Sequence, residues 1–147
     1  MVSFQQASAS DLLLTASRLY YQPFDDTTGD QFCLILSTPQ QQATAWEHGH
    51  RQQMLMDDTF GVCSARILLF ILMVINKQNK GIPVAAIMFT ARKEAKATHT
   101  NYNTELLKDL LAHWKAGMGK HPQTGEEFII SVVNTDNDPH ERNVLSL

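Results

Sequence analysis

Two short acidic stretches contain the residues of this chain best suited to bind a metal ion. Residues 54–60 read Met-Leu-Met-Asp-Asp-Thr-Phe, and residues 132–139 read Val-Val-Asn-Thr-Asp-Asn-Asp-Pro. Each has the pattern of a buried strand that ends in carboxylates. Mg²⁺ prefers oxygen ligands, with few carboxylates and several retained waters, and neighbouring strands lie about 4.8 Å apart. Asp57 and Asp136 are therefore candidate ligands of one divalent-cation site, although either alone is equally well explained as a cap of a helix or turn.

The elements between the two stretches predict how they come together. The predicted elements are strands at 52–60, 67–75 and 82–89, a helix at 101–118 and a strand at 128–133. The polar turn at 76–81 favours a β-hairpin between the second and third strands. The apolar residues of the helix follow a period of about 3.6. By the right-handed crossover rule, the fourth strand lies parallel to the first, which brings Asp57 beside Asp136.

The region before these elements predicts one more strand and helix. Residues 32–36 have the pattern of a buried strand, and Thr38, Pro39 and Gln41 supply an N-cap, a first-turn proline and a capping box. The helix should continue for about ten residues and end at Gly49 in the C′ position. Residues 1–30 are expected to be a poorly ordered or helical extension in which Asp11 caps a short helix, and residues 31–147 the domain proper.

Length and composition indicate one soluble domain inside the cell. At 147 residues the chain suits a single core, and its net charge of -3 argues against a surface that binds nucleic-acid phosphate by itself. The first residues have no signal-peptide pattern, and no apolar run approaches the roughly 20 residues that a membrane helix needs. Cys33 and Cys63 lack disulfide or metal spacing, which favours reduced thiols and an intracellular location.

The histidine and tryptophan residues give no clear pattern of their own. His48-x-His50, taken with Cys33 and Cys63, matches no standard zinc spacing, so we interpret these histidines as surface residues after a helix. Trp46 is expected in the apolar core.

A larger set of motifs gives a resemblance to a known family. The matching residues, in chain order, are Phe32, Leu36-Ser37-Thr38-Pro39-Gln40, Trp46, Gly49, Met56-Asp57-Asp58-Thr59-Phe60-Gly61, Gly81-Ile82-Pro83-Val84, Tyr102, Leu106, Leu110, Trp114, Thr135-Asp136-Asn137-Asp138 and Glu141-Arg142. In this order, over about four-fifths of the chain, the set resembles the catalytic domain of MULE (Mutator-like element) DNA transposases. Asp58 departs from the family, where small residues are common at that position.

The resemblance implies a ribonuclease H-like α/β fold: three antiparallel strands, a crossover helix and a fourth strand parallel to the first. It also implies DNA as partner, Mg²⁺ or Mn²⁺ as cofactor and the nucleus as location. The family uses three acids, of which Asp57 and Asp136 correspond to the first and second. The third, usually a Glu on a late helix, has no counterpart, so we expect a fragment of the domain, incomplete at its C-terminus.

Three functions remain open at this point. A fragment with two acids should bind Mg²⁺ weakly and should not cleave DNA alone. Alternatively, the chain is a catalytically dead, transposon-derived remnant that serves as a binding or interaction module. A third interpretation is an unrelated α/β enzyme that uses Asp57 and Asp136 in another way. In a fragment, the incomplete core should also leave apolar surface exposed and promote self-association.

Overall fold

One six-stranded mixed sheet and three helices make up the parts of the chain that the computed structural model describes, residues 8–59, 67–90 and 104–134. The helices are α1 (Ala9–Ser17), α2 (Pro39–His48) and α3 (Thr104–Gly117); the strands are β1 (Arg18–Gln22), β2 (Cys33–Leu36), β3 (Gln53–Thr59), β4 (Ile67–Ile75), β5 (Gly81–Thr90) and β6 (Val132–Asn134). The strand order is β1-β2-β5-β4-β3-β6, and every neighbouring pair is antiparallel except β3 and β6. The predicted α/β class is confirmed.

The predicted hairpin between the second and third strands is confirmed as β4 and β5. The side-chain Oδ1 of Asn76 accepts the backbone N–H groups of Gln78 and Lys80, each at 2.9 Å. Asn79 has a φ of 59°, the left-handed conformation that asparagine tolerates better than most residues. Local turn chemistry therefore fixes the connection that the sequence indicated.

The two faces of the sheet differ in how deeply their side chains are buried. On β4, Leu68, Phe70, Leu72 and Val74 are fully buried, and the residues between them are half-buried. The fully buried side chains face α2 and α3, which contribute Ala45 and a row of α3 residues to the same core. Burial is therefore complete on only one of the two faces, although the run at 67–75 is apolar throughout. We call that one the helix-covered face and the other the second face.

The start of α2 is as predicted, but its end differs in detail. Thr38 Oγ1 accepts the Gln41 N–H at 3.1 Å, and Gln41 Oε1 accepts the Thr38 N–H at 2.9 Å, which completes the capping box. Gly49 caps the helix in a right-handed conformation at φ -106°, and the left-handed conformation falls on Arg51 at φ 59°. Glycine is needed at position 49 because a Cβ would lie 2.8 Å from both the Ala45 carbonyl oxygen and Val74 Cγ1.

The N-terminal segment contains a helix and an edge strand. Ser8, one turn earlier than expected, is the N-cap of α1, and Asp11 is the third helical residue and completes a capping box. The helix ends at Ser17, because from Arg18 the backbone is extended and forms β1. Strand β1 pairs antiparallel with β2 on the far side of residue 30. The division of the chain at that residue stays a prediction.

Helix α3 confirms the predicted amphipathic pattern. Its fully buried side chains are Leu107, Leu110, Leu111 and Trp114, followed by Met118 just after its end. Gly119 then takes a φ of 63°, the left-handed conformation expected after a helix.

The last strand is parallel to β3, as predicted, but shorter than expected. The predicted strand began at Phe128, whereas β6 begins at Val132. The Phe128 ring is instead buried against Trp46 and Trp114, with centroids 5.0 and 5.3 Å away. This aromatic contact accompanies two hydrogen bonds of Ile129 to the turn after α2, one with the backbone of Arg51 and one with the side chain of His50, and residues 128–131 lie outside the regular ladder. The helix expected after Pro139 lies outside the described residues.

The tight contact at Gly49 predicts an unequal cost for adding a methyl group at two glycines. Gly49→Ala should lower the free energy of unfolding by about 1–3 kcal/mol, since the new Cβ overlaps backbone and core atoms. Gly81→Ala is the matched control, because its Cβ would meet only Met73 Sδ at an ordinary 3.6 Å. Urea denaturation of both variants measures the difference, and equal stabilities would contradict the packing described here.

Candidate metal site and the segment that leads to it

Asp57 lies near the end of β3, and its side chain is exposed on the second face of the sheet. Its neighbours Met54 and Met56 are buried on the helix-covered face, so the alternation of the strand turns Asp57 away from α2 and α3. Across the ladder Asp57 pairs with Ile71 of β4. The expected strand with carboxylates near its end is therefore β3, and Asp57 is one of these carboxylates.

The carboxylate of Asp57 has no hydrogen bond or ion pair with any residue that the structure describes. The residues nearest to it on the second face, Leu55 and Ile71, are apolar and half-buried. A carboxylate with no partner among the described residues offers its oxygens to a hard divalent cation. The chemistry of this single side chain therefore fits the predicted site.

The second predicted ligand, Asp136, lies outside the described residues, as do the side chains of Asp58 and Thr59. The last described pair of the parallel ladder is Leu55 opposite Asn134. In the sequence, Asp57 comes two residues after Leu55, and Asp136 comes two residues after Asn134. Within the described ranges no group of three or more His, Cys, Asp or Glu side chains could hold a metal ion. A shared Asp57–Asp136 site stays a prediction.

His48, the last residue of α2, and His50, in the turn after it, are not the surface residues that the sequence suggested. The side chains of His48 and His50 are only 17% and 12% exposed. The His50 ring packs against Trp46 and Phe128, with centroids 5.0 and 5.7 Å away. His50 therefore belongs to the aromatic cluster that anchors the segment leading into β6.

An ion pair on the rim of this cluster ties the turn after α2 to the loop after α3. Arg51 Nη2 donates to Glu126 Oε1 at 2.9 Å, and His50 Nε2 lies 3.3 Å from Glu126 Oε2. The hydrogen bond with His50, followed by the charge of Arg51, lowers the pKa of Glu126 below its ordinary value of 4.5. No sequence pattern indicated these contacts, because Glu126 is 75 residues from Arg51 and 76 residues from His50.

Cys33 is a free thiol on the helix-covered face of β2. Burial raises the pKa of this thiol to about 11, which keeps it protonated and unreactive near neutral pH. It packs in the core rather than serving as a nucleophile or metal ligand.

Comparison with known proteins gives no relative from which a function could be transferred. No family model, no curated protein and no solved structure matches the chain. Across the described ranges, none of the helices combines the length and apolar character needed to cross a membrane. The proposed function therefore rests on the order of the strands and on Asp57 and Asp136.

The lowered pKa of Glu126 predicts a specific pH dependence. Because the folded-state pKa lies below the ordinary value, Glu126 should stabilise the fold above about pH 4.5, and this contribution should disappear as the pH falls through the folded-state pKa. Thermal unfolding of Glu126→Gln against wild type should show a difference at neutral pH that shrinks on acidification. Glu127→Gln is the control, since its exposed side chain forms no ion pair with a described residue. A difference that stayed constant with pH would contradict the assignment.

Proposed function

We propose that this chain is a ribonuclease H-like domain of the MULE transposase type, whose Asp57 and Asp136 carboxylates bind a divalent cation beside a DNA phosphodiester. The observation that carries the proposal is the parallel pairing of β6 with β3. Its last described pair, Leu55 with Asn134, comes two residues before Asp57 and Asp136 in the sequence. The motif order in the sequence and the described strand order favour the same architecture.

The strand order supports the fold assignment. Strands β3, β4 and β5 form an antiparallel meander, α3 follows, and β6 returns beside β3 in the parallel direction. This is the arrangement that the family resemblance implies: three antiparallel strands, a crossover helix and a fourth strand next to the first. Strands β1 and β2 extend the sheet on the far side of β5, away from the proposed site.

The chemistry of the two side chains supports the cofactor. Carboxylate oxygens are the ligands that Mg²⁺ and Mn²⁺ prefer, and Asp57 is exposed and unpaired with respect to the described residues. A divalent cation held there supplies charge neutralisation at a phosphodiester and activation of the attacking oxygen. The contribution of β3 is to direct the Asp57 carboxylate away from the core.

The number of acids sets the expected activity. This chain offers two of the three acids that the resemblance implies, and two carboxylates hold a cation more weakly than three. We therefore propose weak cation binding by the chain and no DNA cleavage by residues 1–147 alone. DNA remains the proposed partner of the complete site.

The cation site predicts saturable metal binding that depends on both aspartates. Calorimetric titration of the purified chain with Mg²⁺ and with Mn²⁺ should give weak saturable binding. Asp57→Asn and Asp136→Asn should each abolish it, because each removes one charged ligand.

The control for this titration is Asp109→Asn. Asp109 is an exposed aspartate on α3, which packs on the other face of the sheet, so its loss should leave cation binding unchanged. A folded wild-type chain without saturable binding, or one that keeps it in Asp57→Asn, would overturn the proposed site.

A second candidate function, an interaction module, is favoured by a cluster of exposed apolar residues. Among the described residues, seven large apolar side chains are exposed, and five of them lie between positions 12 and 24. They are Leu12, Leu13, Leu14, Tyr21 and Phe24, with exposed fractions from 49% to 65%. Exposed apolar clusters of this kind mark surfaces that bind other proteins or further copies of the same chain.

This cluster predicts that the chain self-associates and that polar substitutions at its exposed leucines abolish the association. Wild type should sediment as species larger than the 16.6 kDa monomer as its concentration rises. Leu12→Gln combined with Leu14→Gln should shift sedimentation velocity toward the monomer with little change in stability, since both side chains are more than 60% exposed. Ile129→Gln, a change at an exposed apolar residue outside the cluster, is the control. A monomeric wild-type chain would argue against the module.

A further inference from the structure

The turn after α2 uses its backbone groups in a way that leaves one N–H of the opposite segment without its usual acceptor. The Gly49 and His50 N–H groups both donate to the Ala45 carbonyl oxygen, at 2.7 and 3.1 Å. The Gln52 N–H donates to the Gly49 carbonyl oxygen at 3.0 Å, which closes the turn around Arg51. The Gly49 carbonyl is therefore already bonded before the segment that leads to β6 comes alongside.

That segment is held by two hydrogen bonds to a single residue, Ile129. The Arg51 N–H donates to the Ile129 carbonyl oxygen at 2.8 Å, and the Ile129 N–H donates to His50 Nδ1 at 3.0 Å. In a parallel ladder, the Ile129 N–H would donate to the carbonyl of Gly49, the residue before its partner. Here the imidazole nitrogen of His50 takes the place of that carbonyl.

The link between His50 and Ile129 has the same register as the two strands that follow it. His50 lies three residues before Gln53, and Ile129 lies three residues before Val132. Gln53 and Val132 are the first pair of the β3–β6 ladder. The His50–Ile129 link is therefore in register with the ladder, and the ladder itself is only three residues long.

The link needs a neutral imidazole of one defined tautomer. Because a backbone N–H can only donate, Nδ1 of His50 must be unprotonated, and the ring proton must lie on Nε2, 3.3 Å from Glu126 Oε2. With 12% of the side chain exposed, water has little access to replace the lost acceptor. Among the described residues, Glu126 lies beside the ring and pairs with Arg51, and His121 packs against Trp46, which also contacts the ring.

We propose that neutral His50 is a positioning residue that sets the parallel register of β3 and β6, and through it the alignment of Asp57 with Asp136. The alignment rests on the proposed cation site, whereas the register does not. A proton on Nδ1 would turn this acceptor into a donor and leave the Ile129 N–H without a partner, so the ring holds the start of β6 only as an acceptor.

Two substitutions separate the acceptor role of the ring from its other contacts. The amide oxygen of His50→Asn takes the place of Nδ1, accepts the Ile129 N–H and does not titrate. The longer side chain of His50→Gln instead carries its amide where Nε2 lies, near Glu126, and leaves the Ile129 N–H without an acceptor.

The first measurement is hydrogen exchange by NMR on the metal-free chain, with the amides of Val132–Asn134 as the probe and those of Leu110 and Leu111 on α3 as the internal reference. At one fixed pH, protection factors of the β6 amides in His50→Gln should be about tenfold lower than in wild type, with the reference unchanged. His50→Asn should keep the wild-type protection. Long-range proton–nitrogen spectra should show the Nε2–H tautomer of His50.

The outcomes are decisive in each direction. Equal protection of the β6 amides in wild type and His50→Gln, or an Nδ1–H tautomer, would overturn the role of His50. If His50→Gln unfolds as a whole, the α3 reference reports it, and the tautomer of wild-type His50 together with the protection of His50→Asn decides the question.

Cation titration of the same variants tests the link to the proposed site. Weaker Mn²⁺ binding in His50→Gln than in His50→Asn is expected. Equal binding, with the hydrogen-exchange result intact, would overturn the alignment of Asp57 and Asp136 but leave the register role. A wild type that binds no cation would remove the proposed site and leave the exchange result to stand by itself.

Discussion

The burial of the Phe128 ring is the interaction on which the described site region depends. The ring packs against Trp46 of α2, Trp114 of α3 and His50 of the following turn, and it is 1% exposed. Burial of a phenylalanine stabilises a fold by about 1.5–3 kcal/mol. This contact holds the segment after α3 against the segment before β3, and so it brings two parts of the chain close enough to form a parallel pair.

The parallel pair is short and lies at the edge of the sheet, so side chains have to complete what the ladder cannot. Three residue pairs offer few hydrogen bonds, and Val132 and Asn134 are both exposed. The bonds of Ile129 to the turn after α2, and the ion pair of Arg51 with Glu126, extend the contact beyond the strands. A site built from β3 and β6 would therefore depend on the contacts that this turn makes.

The sheet has two faces with different roles. The helix-covered face contains the core, from Leu68 and Phe70 on β4 to Trp114 on α3. The second face carries half-buried apolar side chains and Asp57, and Leu14 of α1 lies beside Leu34 and Leu36 at the N-terminal segment. Both proposed functions, cation binding and association, fall on residues that the core does not use. The core can therefore stay intact whichever of the two functions the chain performs.

The features of the fold that arise from contacts between residues near in sequence were predictable from the sequence alone. The capping box of Thr38 with Gln41, the turn at Asn76 and the apolar stripe of α3 all involve residues a few positions apart, where pattern and structure are directly linked. The parallel placement of β6 also followed, because chain handedness restricts crossovers. Three other features became clear only from the folded chain. Residues 18–22 form an edge strand, β6 starts at Val132, and His50 Nδ1 accepts a hydrogen bond. These depend on partners in other elements, up to 79 residues away for His50, and no local pattern specifies which distant group a side chain will meet.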